Sequence, residues 1–500
     1  MDFSEKQIRP NYGILTVLMV GAFISFLNNT LLNIALPSIM TELKVDAPTV
    51  QWLTTGFMLV NGILIPTTAF LIEKFTVRRL FLVAMGLFTI GTILSGTAHV
   101  FSILLAGRMI QAAGSAIMMP LLMNVMLISF PVEKRGTAMG VFGLILMFAP
   151  AIGPTLSGWI IEHYDWRMLF HFITPIAVLV FILGFIMLKD KKERVFIKLD
   201  FFSVILSSVG FGGLLYGFSS AGNMGWGNPL VYGTIIIGIL SLTWFIIRQS
   251  KLEVPMLNFG VYRYSMFALA SVITMAVNMA MFSGFLLLPI YAQTIVGISP
   301  METGLMLLPG AILNAFMSPV NGRLFDKFGG RILAVIGLTI TTVTTYLFSQ
   351  LTFETSYTYL TVLHAVRMFG MSMVFMPVST NGLNQLPRNL YPHGTAVNNT
   401  LNQVSAAIGT GLLITLMSIK ETASKANLLK NIEGQPTQAQ SLQIQLQAML
   451  DGINFTFFVS TFLIGAALIL AFFMKRAKQE EDITGRQKPK QSVRPTLAKN

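Results

Sequence analysis

Cysteine is absent from the 500 residues, which excludes disulfides and thiolate metal ligands and leaves the redox compartment open. Charge is scarce too: Asp, Glu, Lys and Arg together make 11% of the chain, against roughly 25% in an ordinary soluble domain. The five histidines are scattered without metal-ligand spacing. No phosphate loop of the form G-x-x-x-x-G-K-S/T occurs, so neither metal nor nucleotide is expected as a cofactor. No His, Asp or Cys cluster stands at the end of an apolar run, the arrangement a membrane-embedded enzyme would need, so the chain is not expected to be an enzyme. A polar Met1–Asn11 and a first apolar run without an Ala-x-Ala site argue against a cleavable signal.

What is present in quantity is apolar surface: 54% hydrophobic residues and a mean hydropathy of +0.69. Runs of about 20 apolar residues, each enough to cross a core of roughly 30 Å, recur along the chain. They predict an all-α polytopic membrane protein with fourteen spans: 12–36, 50–72, 80–98, 102–130, 137–159, 166–188, 200–221, 229–248, 264–288, 303–321, 332–351, 357–380, 394–418 and 453–474. The net charge of +13 is explained by topology rather than by nucleic acid. Of the 34 Lys and Arg, 27 fall on the side of the two termini, while the opposite loops hold Lys44, Lys420, Lys425 and Lys430. By the positive-inside rule the termini are cytoplasmic. A charged tail, 475–500, is expected to be disordered. The long outer connection, 420–452, contains TQAQSLQIQLQAML, an amphipathic helix in prospect.

Two turns resemble each other: AFLIEKFTVRRL (69–80) after span 2 and NGRLFDKFGGRIL (321–333) after span 10. GRMIQAAG (107–114) in span 4 is echoed by VRMFG (366–370) in span 12. The echoes divide the chain into a six-span unit, 1–188, an inserted pair with its linkers, 189–263, and a second six-span unit, 264–474. Internal duplication of a helix bundle is common in secondary transporters.

These motifs, with LNNTLLNIALP (27–37), QWLTTGFMLV (51–60), APAIGPTLSG (149–158), WRMLF (166–170) and LPIYAQTIVGISPMETGLMLLPG (288–310), resemble the major facilitator superfamily. Within it the chain is similar to the fourteen-span DHA2 drug:proton antiporters, narrowly the lincosamide and multidrug exporters of Gram-positive bacteria. The resemblance implies a major facilitator fold, two six-helix bundles plus two inserted helices, in the cell membrane. It implies efflux of small amphipathic drugs against protons by a monomer in a lipid bilayer, with no nucleic acid partner. Export of an endogenous lipid or metabolite is the alternative. A non-transporting sensor would usually carry a folded soluble domain, and none is visible.

The resemblance also assigns residues. The gating turn matches at Gly322, Asp326, Lys327, Gly329 and Arg331, and its drifted copy keeps Glu73, Lys74, Arg78 and Arg79. A carboxylate and a nearby guanidinium are expected to form a charge-assisted latch there. APAIGPTLSG is the antiporter signature, with Pro150 and Pro154 bending the helix and Gly153 and Gly158 admitting a neighbour. The family's usual Asp in the first span is Asn28 here.

Amides without partners in hydrocarbon cost several kcal/mol, so Asn28, Asn29 and Asn33 are expected to turn inward. Interhelical hydrogen bonding and a translocation cavity both satisfy that need. For the cavity, Gln51, Asn61, Asn124, Tyr291 and Gln293 join them. No acid falls at a span centre, so the titrating candidates for proton coupling are Asp200, Glu302 and His364, the last one turn from Arg367. The resemblance adds Arg108, an arginine the family links to proton transfer, with Gln111 one turn on.

Overall fold

A computed structural model describes residues 12–45, 47–189, 200–430 and 437–476. Its first seven helices are α1 (Tyr12–Leu43), α2 (Ala47–Leu64), α3 (Thr68–Lys74), α4 (Val77–Gly96), α5 (Phe101–Ser129), α6 (Arg135–His163) and α7 (Met168–Met187). An inserted pair follows, α8 (Phe201–Met224) and α9 (Pro229–Gln249). The second set comprises α10 (Ser265–Ile290), α11 (Pro300–Phe328), α12 (Gly330–Phe348), α13 (Tyr357–Ser372), α14 (Phe375–Leu383), α15 (Tyr391–Lys430) and α16 (Gln438–Ala471). Helix is the form such a chain must take, since only helices and closed barrels satisfy every backbone group within lipid.

Thirteen segments among the described residues are long and apolar enough to span a bilayer, and α6, with 29 residues, stands in the place of the remaining expected span. Among the described residues sixteen α-helices stand in the place of the fourteen expected spans, because two of those spans are each made of two helices. A single 3-10 turn at Ile65–Thr67, built on Pro66, separates α2 from α3. Met373 and Val374 separate α13 from α14. The peripheral helices α7 and α9 show Leu179, Ile182, Ile236 and Leu240 to the outside, each about half exposed, as lipid contact requires and water would not tolerate.

The two sets meet along two seams. One joins α6 to α11, and the other joins α15 to α2, α3 and α5. The inserted α8 lies against both α2 and α15, with α9 outside it. Asp200 caps this pair through Arg248, whose Nε lies 2.6 Å from Asp200 Oδ2. Gln249 anchors the linker after α9, donating to Ser203 and accepting from the Leu257 amide.

The connection expected at 420–452 is mostly helix. Residues up to Lys430 continue α15, and α16 begins at Gln438 with a Thr437/Gln440 capping box, so two spans run on as one protruding hairpin. Gly452 lets the two helices approach, since a methyl there would sit 2.7 Å from the Met417 carbonyl oxygen. The N-terminal residues 1–11, most of the expected linker at 190–199 and the tail from 477 lie outside the described residues.

Candidate functional site

At the end of the bundle that carries the charged turns, the two halves are bolted together. This end is called the basic end below. The Asp326 carboxylate, near the end of α11, accepts from the Gly136 and Thr137 amides, both at 2.8 Å, and from the Thr137 hydroxyl at 2.5 Å. Those amides are in the first turn of α6, where unsatisfied N–H groups and the helix dipole favour an anion. Close approach is possible because Gly136 and Gly322 face each other: a methyl on Gly136 would lie 2.6 Å from the Gly322 carbonyl oxygen. Arg135 then reaches across to the Tyr391 hydroxyl at 2.8 Å and to Asn384 at 3.2 Å. A third bolt joins α3 to α15, with His393 Nε2 3.0 Å from Glu73 Oε1. The Asn258 amide donates to His393 Nδ1, so Nε2 carries the proton that faces Glu73.

This corrects the expected latch. The partner of Asp326 is a helix N-terminus, not a guanidinium, and the arginine that does touch this turn, Arg476, donates to the Asp326 backbone oxygen. Arg331 is exposed. Lys327 sits over the Phe328 ring. In the first copy, Lys74 and Arg79 stack on Phe75, and Arg78 donates to the Phe185 carbonyl of its own half. The second turn uses Gly329 at φ +83°, which favours glycine. The first instead turns through an extended Phe75 at φ −109°, with Thr76 capping α4, so the lost glycine was not needed.

Between the halves lies a cavity of about 240 Å³. Asn29 and Asn61 enter from the first half, and Asn278, Asn398, Asn399 and Asn402 from the second. The apolar part is mainly methionine and phenylalanine, including Met119, Met123, Phe57 and Phe142, with Ile65 and Ala406. Among the described residues no charged side chain lines it. Methionine adapts to irregular shapes, and each amide offers both donors and an acceptor.

Behind Asn29 sits the fully buried Arg108. Its guanidinium donates to Gln111 Oε1 at 3.0 Å and to Asn29 Oδ1 at 3.2 Å, and lies 4.3 Å from the Phe57 ring centroid. Asn28 donates to the same Gln111 oxygen, and Gln111 donates to Thr92. In the second half Arg367 is equally buried, donating to Thr345, the Ala280 carbonyl and Ser283. The two arginines occupy matching places: each is on the fourth span of its unit and reaches towards the first span, α1 or α10. Each network also includes a threonine of the third span. Among the described residues neither has a carboxylate at ion-pair distance, and Arg108 Nε and Arg367 Nη1 lack any hydrogen-bond partner.

Of the residues expected at a cavity, Asn29 and Asn61 line this one. Asn28 lies one layer behind it, in the Arg108 network. Asn124 is buried away from it with Oδ1 unpartnered. Tyr291 is buried in a π-turn at the far end of α10, where its hydroxyl donates to the Thr352 carbonyl, and Gln293 is exposed beside it. The side chains of Asn33, Gln51, Pro150 and Pro154 lie outside what is described; both prolines fall within a continuous α6. A methyl on Gly153 would meet Thr30 Oγ1 at 2.3 Å, whereas Gly158 has nothing within 4 Å. Only the first of these glycines brings a neighbour close.

The coupling candidates are placed mainly in structural roles. Asp200, at the mouth of α8, is held down to about 2 by its hydrogen bond from Arg248, so it stays ionised at working pH. Glu302 closes a capping box with Ser299 and is exposed. His364 is buried against Gly310 with Nδ1 unpartnered. Of the residues missed by the sequence reading, Asn398, Asn399 and Asn402 had a visible signal, since NNTLNQ (398–403) repeats the NNTL of 28–31; Asn278, a lone amide in an apolar run, had none beyond its polarity.

The family described as Major Facilitator Superfamily matches residues 18–410. An uncharacterized MFS-type transporter of Bacillus subtilis, YhcA, is 46% identical over 98% of this chain and 98% of its own. The lincomycin resistance protein LmrB of the same species is 42% identical, covering 93% of this chain and 96% of its own. The multidrug export protein EmrB of Haemophilus influenzae is 27% identical over 89% of each. Among solved structures, the human organic anion transporter MFSD10 superposes with a TM-score of 0.62 at 14% identity, over 91% of this chain and 99% of that one, a likeness of fold.

Proposed function

This chain belongs to the major facilitator superfamily, and from that premise we propose that it is a secondary multidrug exporter of amphipathic antimicrobials, lincosamide-like compounds first, driven by proton entry. The observation that carries the reading is an amide- and methionine-lined cavity, uncharged among the described residues, between two halves bolted together at the basic end by hydrogen bonds and an ion pair. Relatives named for lincomycin resistance and multidrug export support the substrate class. The excess of Lys and Arg at the bolted end supports a cytoplasmic position for it, and the Bacillus and Listeria relatives support a Gram-positive cell. The conformation seen is then the one sealed towards the cytoplasm.

Rocking α11 away from α6 would free Asp326 and Glu73 together and open the cavity inward. Asn29, fixed by Arg108, presents its remaining hydrogen-bonding groups to the substrate. Opening the basic end would part Glu73 from His393 and Asp326 from α6, so the proton is proposed to act at the cytoplasmic closure rather than at a mid-membrane acid. The path lies within one chain, and a monomer suffices. Purified protein in proteoliposomes tests this: an imposed pH gradient should drive accumulation of lincomycin and a sodium gradient alone should not. Accumulation with sodium and no pH gradient would replace the coupling ion, and none under either would reject export of this class.

A further inference from the structure

We propose that the inserted helix α8 walls a second substrate site, stacked on the central cavity away from the basic end, for an uncharged amphipathic molecule leaving the protein. The proposal rests on the export reading above. A cavity of about 310 Å³ lies between α1, α2, α8 and α15, lined by Leu36, Thr54, Thr55, Leu215, Ser219 and Thr410. It shares Gln403 and Ala406 with the central cavity, so the two are neighbours through a common wall.

The shared helices make the two spaces one track. Along α15 the lining includes Asn398, Asn402, Ala406 and Thr410, four residues apart and therefore on one face, with Asn399, Gln403 and Ala407 beside them. From first to last they climb about 18 Å at 1.5 Å per residue. On α1 the step from Asn29 to Leu36 is two turns, and α2 passes from Asn61 and Phe57 to Thr55 and Thr54 in the same direction. What changes is the remaining wall. The central cavity is completed by α5, α6, α10 and α14, and the outer one by α8.

That wall is firmly seated. Tyr216 stacks on Trp52 with ring centroids 5.9 Å apart. Leu215 fills the notch left by Gly62, and Gly411 presses against the Phe218 carbonyl, where a methyl would stand 2.5 Å away. The Trp226 indole donates to the Thr415 hydroxyl.

The number of hydrogen-bonding groups changes along the track more than their kind. The central cavity offers the asparagine amides with the Ser25, Ser115 and Ser379 hydroxyls, and the outer one the Thr54, Thr55, Ser219 and Thr410 hydroxyls with the Gln403 amide. Among the described residues no charged group lines either space, so a molecule with hydroxyl or amide groups and one apolar face fits both, and meets fewer hydrogen-bonding groups in the outer one.

The absence of native cysteine makes the test direct. Full-length Ser219→Cys, Ser115→Cys in the central cavity, and Leu230→Cys on the exposed start of α9 are reconstituted separately and labelled with N-ethylmaleimide, with and without saturating lincomycin or chloramphenicol. Labelling at the first two positions should slow at least fivefold with either compound and stay unchanged at the third. Alkylated Ser219→Cys should then lose at least tenfold in efflux rate, while the cysteine-free parent treated alike keeps its rate. Protection at Ser115→Cys with none at Ser219→Cys, or undiminished efflux after complete alkylation at Ser219→Cys, overturns the second site and leaves the export reading intact. Failure of protection at both positions overturns the two together.

Discussion

The Asp326 contact offers the sharpest perturbation. Asp326→Asn keeps the size and one acceptor but removes the charge and turns an NH2 group towards N–H donors. Three hydrogen bonds from α6 converge on the carboxylate, and bonds to a charged group contribute about 1.5–3 kcal/mol each. The site is half-buried and one acceptor survives, so a net loss of about 2 kcal/mol from the closed basic end is expected. At 1.4 kcal/mol per factor of ten, the closed-to-open ratio falls about 30-fold. Spin labels on Lys134→Cys and Arg323→Cys, both exposed and on opposite sides of the seam, would read this as a shift of the distance distribution to longer values. In proteoliposomes the efflux rate should fall about tenfold or more with substrate affinity within a factor of two, because release needs the closed state. An unchanged distance distribution together with parental efflux would refute the latch.

Gly136→Ala should act in the same direction by crowding, costing about 1–3 kcal/mol in thermal stability, since its methyl would lie 2.4 Å from Asp326 Oδ1. Gly158→Ala, with nothing within 4 Å, is the matched control and should melt within a degree or two of the parent. Asn28→Asp places a carboxylate next to Gln111 and within the Arg108 network. It supplies the missing counter-charge, so a resistance profile should shift towards cationic compounds, and an unaltered spectrum in a well-expressed variant would count against that role. Asp200→Asn removes a group whose folded pKa, about 2, lies below its unfolded value. Its stabilisation is present above the unfolded pKa of about 3.9 and lost as pH falls towards 2. The variant should melt lower at pH 7 yet keep the parental pH profile of efflux between pH 5 and 8, and an altered profile would return Asp200 to the coupling pathway.

Spans were legible because hydrophobic length is a one-dimensional property, and the structure departs from it only where a second force enters. Pro66 and the Met373–Val374 step break helices that hydropathy runs straight through. The 420–452 connection ends the apolar runs by its polar composition, but polarity does not end a helix: TQAQSLQIQLQAML is helical as its pattern suggests and runs on into the following span as α16. Capping sets the boundary, and the Thr437/Gln440 box shows where α16 begins. The echo of GRMIQAAG in VRMFG was weak as text and proves close in space, since Arg108 and Arg367 make comparable bonds in comparable places.

The partners of the charged turns were not legible, for a physical reason. Asp326 is satisfied by backbone amides 190 residues away, and a backbone amide carries no sequence signature. Every residue has one, and only the meeting of Gly136 with Gly322 exposes this pair. Reading the turn for side-chain partners therefore directed attention to Arg331 and Arg79, which the structure leaves at the surface or stacked on their own half. The cavity fell between these extremes. The reasoning applied to Asn28 and Asn29 holds for Asn398 and Asn399, whose NNTL is letter for letter the same. On α1 both asparagines belong to the arginine network and the second also lines the cavity; on α15 both line the cavity. The two stretches are not repeat counterparts, since α1 is the first span of its unit and α15 the fifth of its own. The counterpart of α1 is α10, which Arg367 meets through the Ala280 carbonyl and Ser283. The amides of α15 face the cavity without a guanidinium among their bonds. The local partner of each buried charge thus decides which polar groups remain for a ligand.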